Sequence, residues 1–175
     1  MNTVTHPIPP VFDSASRILI LGSFPSVKSR EGHFFYHHPQ NRFWKTLAGI
    51  LAVPVPGSID EKKEFLLSHH IALWDVIASC SIEGSSDSSI RDVVPNDLSR
   101  ILSTADIRAI FCNGKTSWKA GEIPRISIEL AAEEDYYFGS ISSSNAHIRG
   151  AEYVSSKKSD AKRSLTITAK LKGVK

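Results

Sequence analysis

Three short apolar runs, each stopped by glycine or a polar turn and separated by stretches that include helix-forming sequence, restrict this chain to few folds. The run from Ile18 to Leu21 ends at Gly22, Ile71–Ala78 (IALWDVIA) leads into serines, and Ile107–Cys112 closes on Asn113-Gly114. Such runs are too short for helical turns and have no polar face, so they read as strands buried on both sides. Between them, Phe43, Trp44, Leu47, Ile50 and Leu51 fall at helical spacing, predicting a helix that starts at Asn41-Arg42 and runs to about Leu51. Ser58-Ile-Asp-Glu61 has the residue types of a capping box for a second helix, Glu61 to His70. Asn96 or Asp97 can cap a third, continuing to about Ser103, and Tyr136–Ile141 is the best candidate for a fourth strand. Alternating β and α segments of this kind imply an α/β fold, a parallel sheet with helices on both faces.

Open parallel sheets bind ligands beyond the carboxyl ends of their strands. Gly22, Ser23, Phe24, Pro25 and Ser26 form a turn at such an end, where backbone N–H groups could approach a phosphate or a base and Phe24 could stack on it. Eight residues after Ser26 begins the cluster Phe34, Phe35, Tyr36, His37, His38, Gln40, Asn41 and Arg42, a mixture able to stack a flat ring, hydrogen-bond its edge and hold a phosphate. Three consecutive aromatics cannot all face one way, so at least one should line a pocket. Asn41 read alone, ahead of an apolar run, is a helix N-cap rather than a site residue. Asp75 is an awkward guest in an apolar strand and needs a partner, whether for structure or for a site. Ser79–Ser89 has six serines, Gly84 and Asp87, which predicts a loop whose hydroxyls and amides suit phosphate contacts. His69 and His70 suit a helix C-terminus and read as structural. His33, His37 and His38 lack further His, Cys or carboxylate partners at ligand spacing, so no metal is expected.

At 175 residues the chain is one ordinary domain, and 41% hydrophobic with 22% charged residues is a soluble globular composition. No apolar run approaches the roughly 18 residues of a membrane helix. The start, MNTVTHPIPP, has neither a basic flank nor an apolar secretory core, which predicts a cytoplasmic protein. Its three prolines predict an extended arm packed across the surface. Cys80 and Cys112 lie in or beside apolar runs and read as buried thiols. Residues 152–175 hold seven basic against two acidic side chains, or +5, leaving −2 for the rest of a chain whose total is +3. A near-neutral body with a basic end suits contact with nucleic acid, the alternative being a solvated tail.

The segments ILILGSFPS, FFYHHPQNRFW, ALWDVIASC with the following GSSDSSI, VVPNDL and IFCNG resemble, in this order, the uracil-DNA glycosylase superfamily, and more narrowly its hypoxanthine-DNA glycosylase branch. The resemblance implies a three-layer α/β/α sandwich around a four-stranded parallel sheet. It also implies cofactor-free hydrolysis of the base-to-sugar bond by two loops beyond strand ends. The superfamily often has Asp or Asn just before the first-loop proline, where this chain has Phe24. In the hypoxanthine branch that amide is thought to come from the asparagine of HPQNRFW, here Asn41. The second loop of this branch resembles Ser-Pro-Ala-Asn-Ala, whose nearest match here is Ser143-Ser144-Asn145-Ala146 without the proline, and from about Ile123 onward the chain departs from the family.

On that resemblance Asn41 and Asn145 are the expected catalytic residues, and Gly22, Ser23, Phe24, Tyr36 and His147 the base pocket. Ser26, Arg42, Ser85, Ser86, Ser143, Ser144 and Arg149 are expected against DNA, with Ile148 or Arg149 filling the stack left by a flipped base. The expected organisation is one glycosylase-like domain, 1–150, and a basic segment, 151–175, divergent or without fixed structure. A monomer acting on DNA with deaminated bases, hypoxanthine ahead of uracil, is expected. A non-catalytic nucleic-acid-binding relative and a histidine-dependent metallohydrolase stand as alternatives.

Overall fold

The computed structural model of this chain describes residues 3–113, residue 117, and the backbone of residues 136–142, 147–154 and 163–165. Its principal sheet has six strands. β2 (Ile18–Gly22) lies between β3 (Ile71–Asp75) and β6 (Ala109–Asn113), and the sheet continues through β7 (Tyr136–Ser142), β8 (His147–Val154) and β9 (Arg163–Leu165). The pairs β2 with β3, β2 with β6 and β6 with β7 are parallel, whereas β7 with β8 and β8 with β9 are antiparallel. The expected four-stranded parallel sheet is thus corrected to a mixed sheet, in which four parallel strands are extended by two antiparallel ones. β8 crosses residue 150 without interruption.

The central strands read as unbroken apolar runs because both faces are covered: every residue of β3 is buried, and Leu19, Leu21, Leu73 and Ile110 are fully so. Helix α1 (Val27–Glu31) is capped by Ser26, whose hydroxyl accepts the Ser29 N–H. Helix α2 (Phe43–Leu51) ends on Ala52 in the left-handed region (φ 55°). Helix α3 (Ile59–Ser68) has the complete capping box, Ser58 accepting the Glu61 N–H while the Glu61 carboxylate accepts the Gly57 and Ser58 N–H groups. His69 caps its C-terminus, and its ring lies 2.7 Å from the Phe65 carbonyl oxygen.

A second sheet overturns three sequence expectations. β1 (Thr3–Thr5), β4 (Ile77–Ser81) and β5 (Arg91–Pro95) form it in the order β1-β4-β5, both pairs antiparallel. The apolar run from Ile71 is therefore two strands, parted at Val76, whose N–H turns to the Gly22 carbonyl. The segment read as a loop from Ser79 opens with the end of β4, and Val93–Pro95 is strand; the helix that follows, α4, is only Ser99–Leu102. The N-terminal arm is no surface strap: Ile8 and Val11 enter the core, and Val11 exchanges both backbone hydrogen bonds with Leu73.

Candidate active site

The ends of three parallel strands converge on one cavity of about 200 Å³, lined among others by Gly22, Asp75 and Asn113, the last residues of β2, β3 and β6. β2 and β6 flank the point where successive crossovers diverge, since the chain passes from β2 to β3 on one side and from β6 to β7 on the other. A crevice at that position is where open α/β sheets bind ligands.

The Gly22–Ser26 turn forms one wall, and all five of its residues line the cavity. Gly22 has to be glycine: a Cβ there would collide with Asp75 Oδ1 and come within 2.9 Å of the Tyr36 hydroxyl. Ser23 donates to the Asp87 carboxylate at 3.1 and 3.2 Å, and Ser85 accepts the Val27 N–H at 2.9 Å, so the serine-rich segment is tied across the turn. The Arg30 guanidinium donates to the Pro25 and Gly84 carbonyls and stands 5.7 Å from the Phe24 ring centroid. Phe24 is largely buried, its ring edge against His6.

The aromatic triplet divides as its geometry requires. Phe34 and Phe35 are 2% exposed and belong to the core, each contributing about 1.5–3 kcal/mol by burial. Tyr36 turns the other way on a left-handed backbone (φ 50°), with its ring stacked on Phe43 at 4.0 Å and its hydroxyl accepting from Asn113 Nδ2 at 3.0 Å. Burial, then the nearby Asp75 carboxylate, push the Tyr36 hydroxyl far above the usual tyrosine range, so it stays protonated. Asn41 lines the cavity, and its side-chain oxygen accepts the Phe43 N–H at 2.9 Å. It thus makes a turn into α2, whose N-cap is Arg42, and lines the pocket at once.

Asp75 is 4% exposed and meets a partner that sequence reasoning missed: His6 Nε2 lies 2.7 Å from Asp75 Oδ2, both side chains buried. Asn113 and Asp87 were also missed as site residues. Taking the last residue of each apolar run as the ligand edge would have found Asn113, but nothing local announces His6. Arg42 and Ser86 do not line the cavity. His147 opens β8 opposite Ser142, leaving 143–146 between the strands; it and Arg149 are placed by backbone alone. Ser143, Ser144 and Asn145 lie outside the described residues. Among the described residues no group of three or more His, Cys, Asp or Glu could hold a metal, and no helix is long and apolar enough to cross a membrane.

The model of the uracil DNA glycosylase superfamily matches residues 9–165, spanning the cavity and all three strand ends. The chain belongs to that superfamily. This glycosylase is similar to a hypoxanthine DNA glycosylase from Methanosarcina barkeri, 36% identical over 111 residues (62% of this chain and 70% of the relative). A hypoxanthine DNA glycosylase from Methanosarcina acetivorans is 40% identical over 116 residues (65% and 72%). The solution NMR structure of a candidate uracil DNA glycosylase from Methanosarcina acetivorans superposes with a TM-score of 0.65 at 31% identity, covering 79% of this chain and 83% of that one.

Proposed function

We propose that this glycosylase removes deaminated bases from DNA, hypoxanthine ahead of uracil, by hydrolysing the N-glycosidic bond with a water positioned by Asn41. One observation carries the reading: Asn41 and the Gly22–Ser26 turn share a single cavity at the switch point of the sheet. The preference for hypoxanthine is supported by the names of the two relatives. Breaking this bond builds positive charge on the sugar and negative charge on the base, so fixed dipoles and a placed water suffice. The Phe43 N–H holds the Asn41 carbonyl, which retains a second lone pair for the water, and its NH₂ can donate to the base. Phe24 and Tyr36 offer ring faces, and Asn145 or His147 a donor to the departing base. The target atom is inaccessible within the duplex, so the nucleotide is flipped at a cost of a few kcal/mol, lowest for mispaired bases.

Contacts to phosphate are assigned to Ser26, Arg42, Ser85, Ser86, Ser143, Ser144 and Arg149, with the basic residues of 151–175 adding charge to a monomeric, cytoplasmic domain whose sheet runs past residue 150 into β8 and β9. Right-handed crossovers that diverge from β2 would put helices on opposite faces of the parallel strands, the three-layer arrangement. The test is incubation of a labelled inosine-containing duplex with excess protein in EDTA, followed by alkaline cleavage. Abasic product is expected; tight binding without product would assign the non-catalytic alternative.

A further inference from the structure

We propose that Asp75 selects bases carrying a ring N–H, and that His6 is the positioning residue that turns the Asp75 carboxylate toward them. The inference deepens the base-excision reading and rests on it. Asp75 lines the cavity although it is only 4% exposed. Its Oδ2 lies 2.7 Å from His6 Nε2, while His6 Nδ1 accepts the Ile8 N–H at 3.2 Å. An imidazole nitrogen that accepts carries no hydrogen, so Nε2 is the donor, and one oxygen of the carboxylate is committed to it. The other, Oδ1, rests against the Cα of Gly22 in the space a Cβ would fill, and no hydrogen bond reaches it among the described residues. A buried carboxylate oxygen without a donor is costly, and a ligand N–H is what would satisfy it.

That chemistry separates hypoxanthine and uracil from their parents, adenine and cytosine. Adenine N1 and cytosine N3 are bare acceptors beside an amino group. Deamination replaces the amino group with a carbonyl and puts a hydrogen on the same ring nitrogen, giving N1–H in hypoxanthine and N3–H in uracil. An ionised carboxylate only accepts, so Oδ1 attracts the deaminated edge and repels the lone pair of the parent. His6 lies upstream of residues 9–165, the segment matched by the superfamily model.

The test measures binding of duplexes carrying uncleavable 2′-fluoroarabino analogues of deoxyinosine and of deoxynebularine, a purine without the N1 hydrogen. Wild-type protein should favour the inosine analogue by about tenfold to a hundredfold, as expected for one hydrogen bond to a charged acceptor. In Asp75→Asn the His6 donor holds the amide carbonyl and points the NH₂ into the cavity, so the preference should fall by at least about tenfold. Adding His6→Leu frees that amide to rotate, and part of the preference should return. His6→Gln, which can still donate, should keep the wild-type preference. Equal binding of both analogues by wild type, or an Asp75→Asn preference unchanged, overturns the role of Asp75. A double variant that folds but regains nothing overturns the role of His6. Should wild type show the preference without excising hypoxanthine, the proposed function fails and the selection by Asp75 stands.

Discussion

Gly22 and Asp75 are register partners at the ends of β2 and β3, and the carboxylate of one occupies the space where the other would carry a side chain. Gly22→Ala must therefore displace Asp75, Tyr36 or the strand. The expected cost is about 1–3 kcal/mol of stability, with excision at least tenfold slower. Gly49→Ala is the matching comparison, since nothing lies within 4 Å of its Cβ on α2; it should stabilise by about 0.4–1 kcal/mol and leave excision unchanged. Urea denaturation and single-turnover excision read both.

Asn41 can be dissected by two substitutions. Asn41→Ala removes the acceptor of the Phe43 N–H and the proposed water ligand together, so it should lose about 0.5–2 kcal/mol of stability and slow excision roughly a hundredfold to a thousandfold. Asn41→Asp keeps an acceptor at the start of α2, where a carboxylate is favoured, and should melt like wild type. Its excision rate then isolates the chemistry, because a carboxylate can hold water but cannot donate to a leaving base. Excision by Asn41→Ala within threefold of wild type would leave Asn41 only its contact to the Phe43 N–H at the entry to α2.

Tyr36 gives a pH signature. Its hydroxyl titrates above the ordinary range when folded, so the unfolded chain loses this proton first as pH rises. The contribution is present below the unfolded value of about 10 and declines above it. Tyr36→Phe should flatten the alkaline fall in stability while keeping the stack on Phe43, and urea midpoints across that range check it. The 3.0 Å hydrogen bond from Asn113 to this hydroxyl is also lost, and excision should drop by roughly tenfold.

Salt dependence separates phosphate contacts from passive charge. Arg42 is exposed just before α2, and Lys157, Lys158 and Lys162 precede β9 in the sequence. Each residue that touches phosphate should contribute about 0.9 to the slope of log affinity against log salt. Titrations of Arg42→Ala and of a triple lysine-to-alanine variant at several salt concentrations measure it. An unchanged slope in the triple variant would make that segment a solvated tail.

Strands β2, β3 and β6 were legible because burial on both faces leaves an apolar run that nothing else explains, and the capping box of α3 was legible because its contacts are local. β4 was hidden inside the same apolar run as β3, since the chain changes sheets at Val76 without a glycine or proline to mark the corner. β5 was hidden for the opposite reason. Its residues are mostly exposed, it includes Asp92 on a left-handed backbone (φ 52°), and it ends in Pro95, so no apolar signal builds up. Asp75 stood out as a misplaced charge, but its partner lies 69 residues away in a proline-rich stretch with no pattern of its own.

That separation has a consequence for the order of assembly. His6 reaches Asp75 across 69 residues, and the Trp74 indole N–H reaches the Ile8 carbonyl across 66. Neither contact can form until β3 has been synthesised, so the arm stays without these partners until then, and loop closure is costly before native contacts offset it. Pro7, Pro9 and Pro10 restrict the waiting segment and reduce the entropy lost when it docks. The arm that fixes the Asp75 carboxylate is thus the first of the described segments to be made, and it docks only once β3 exists.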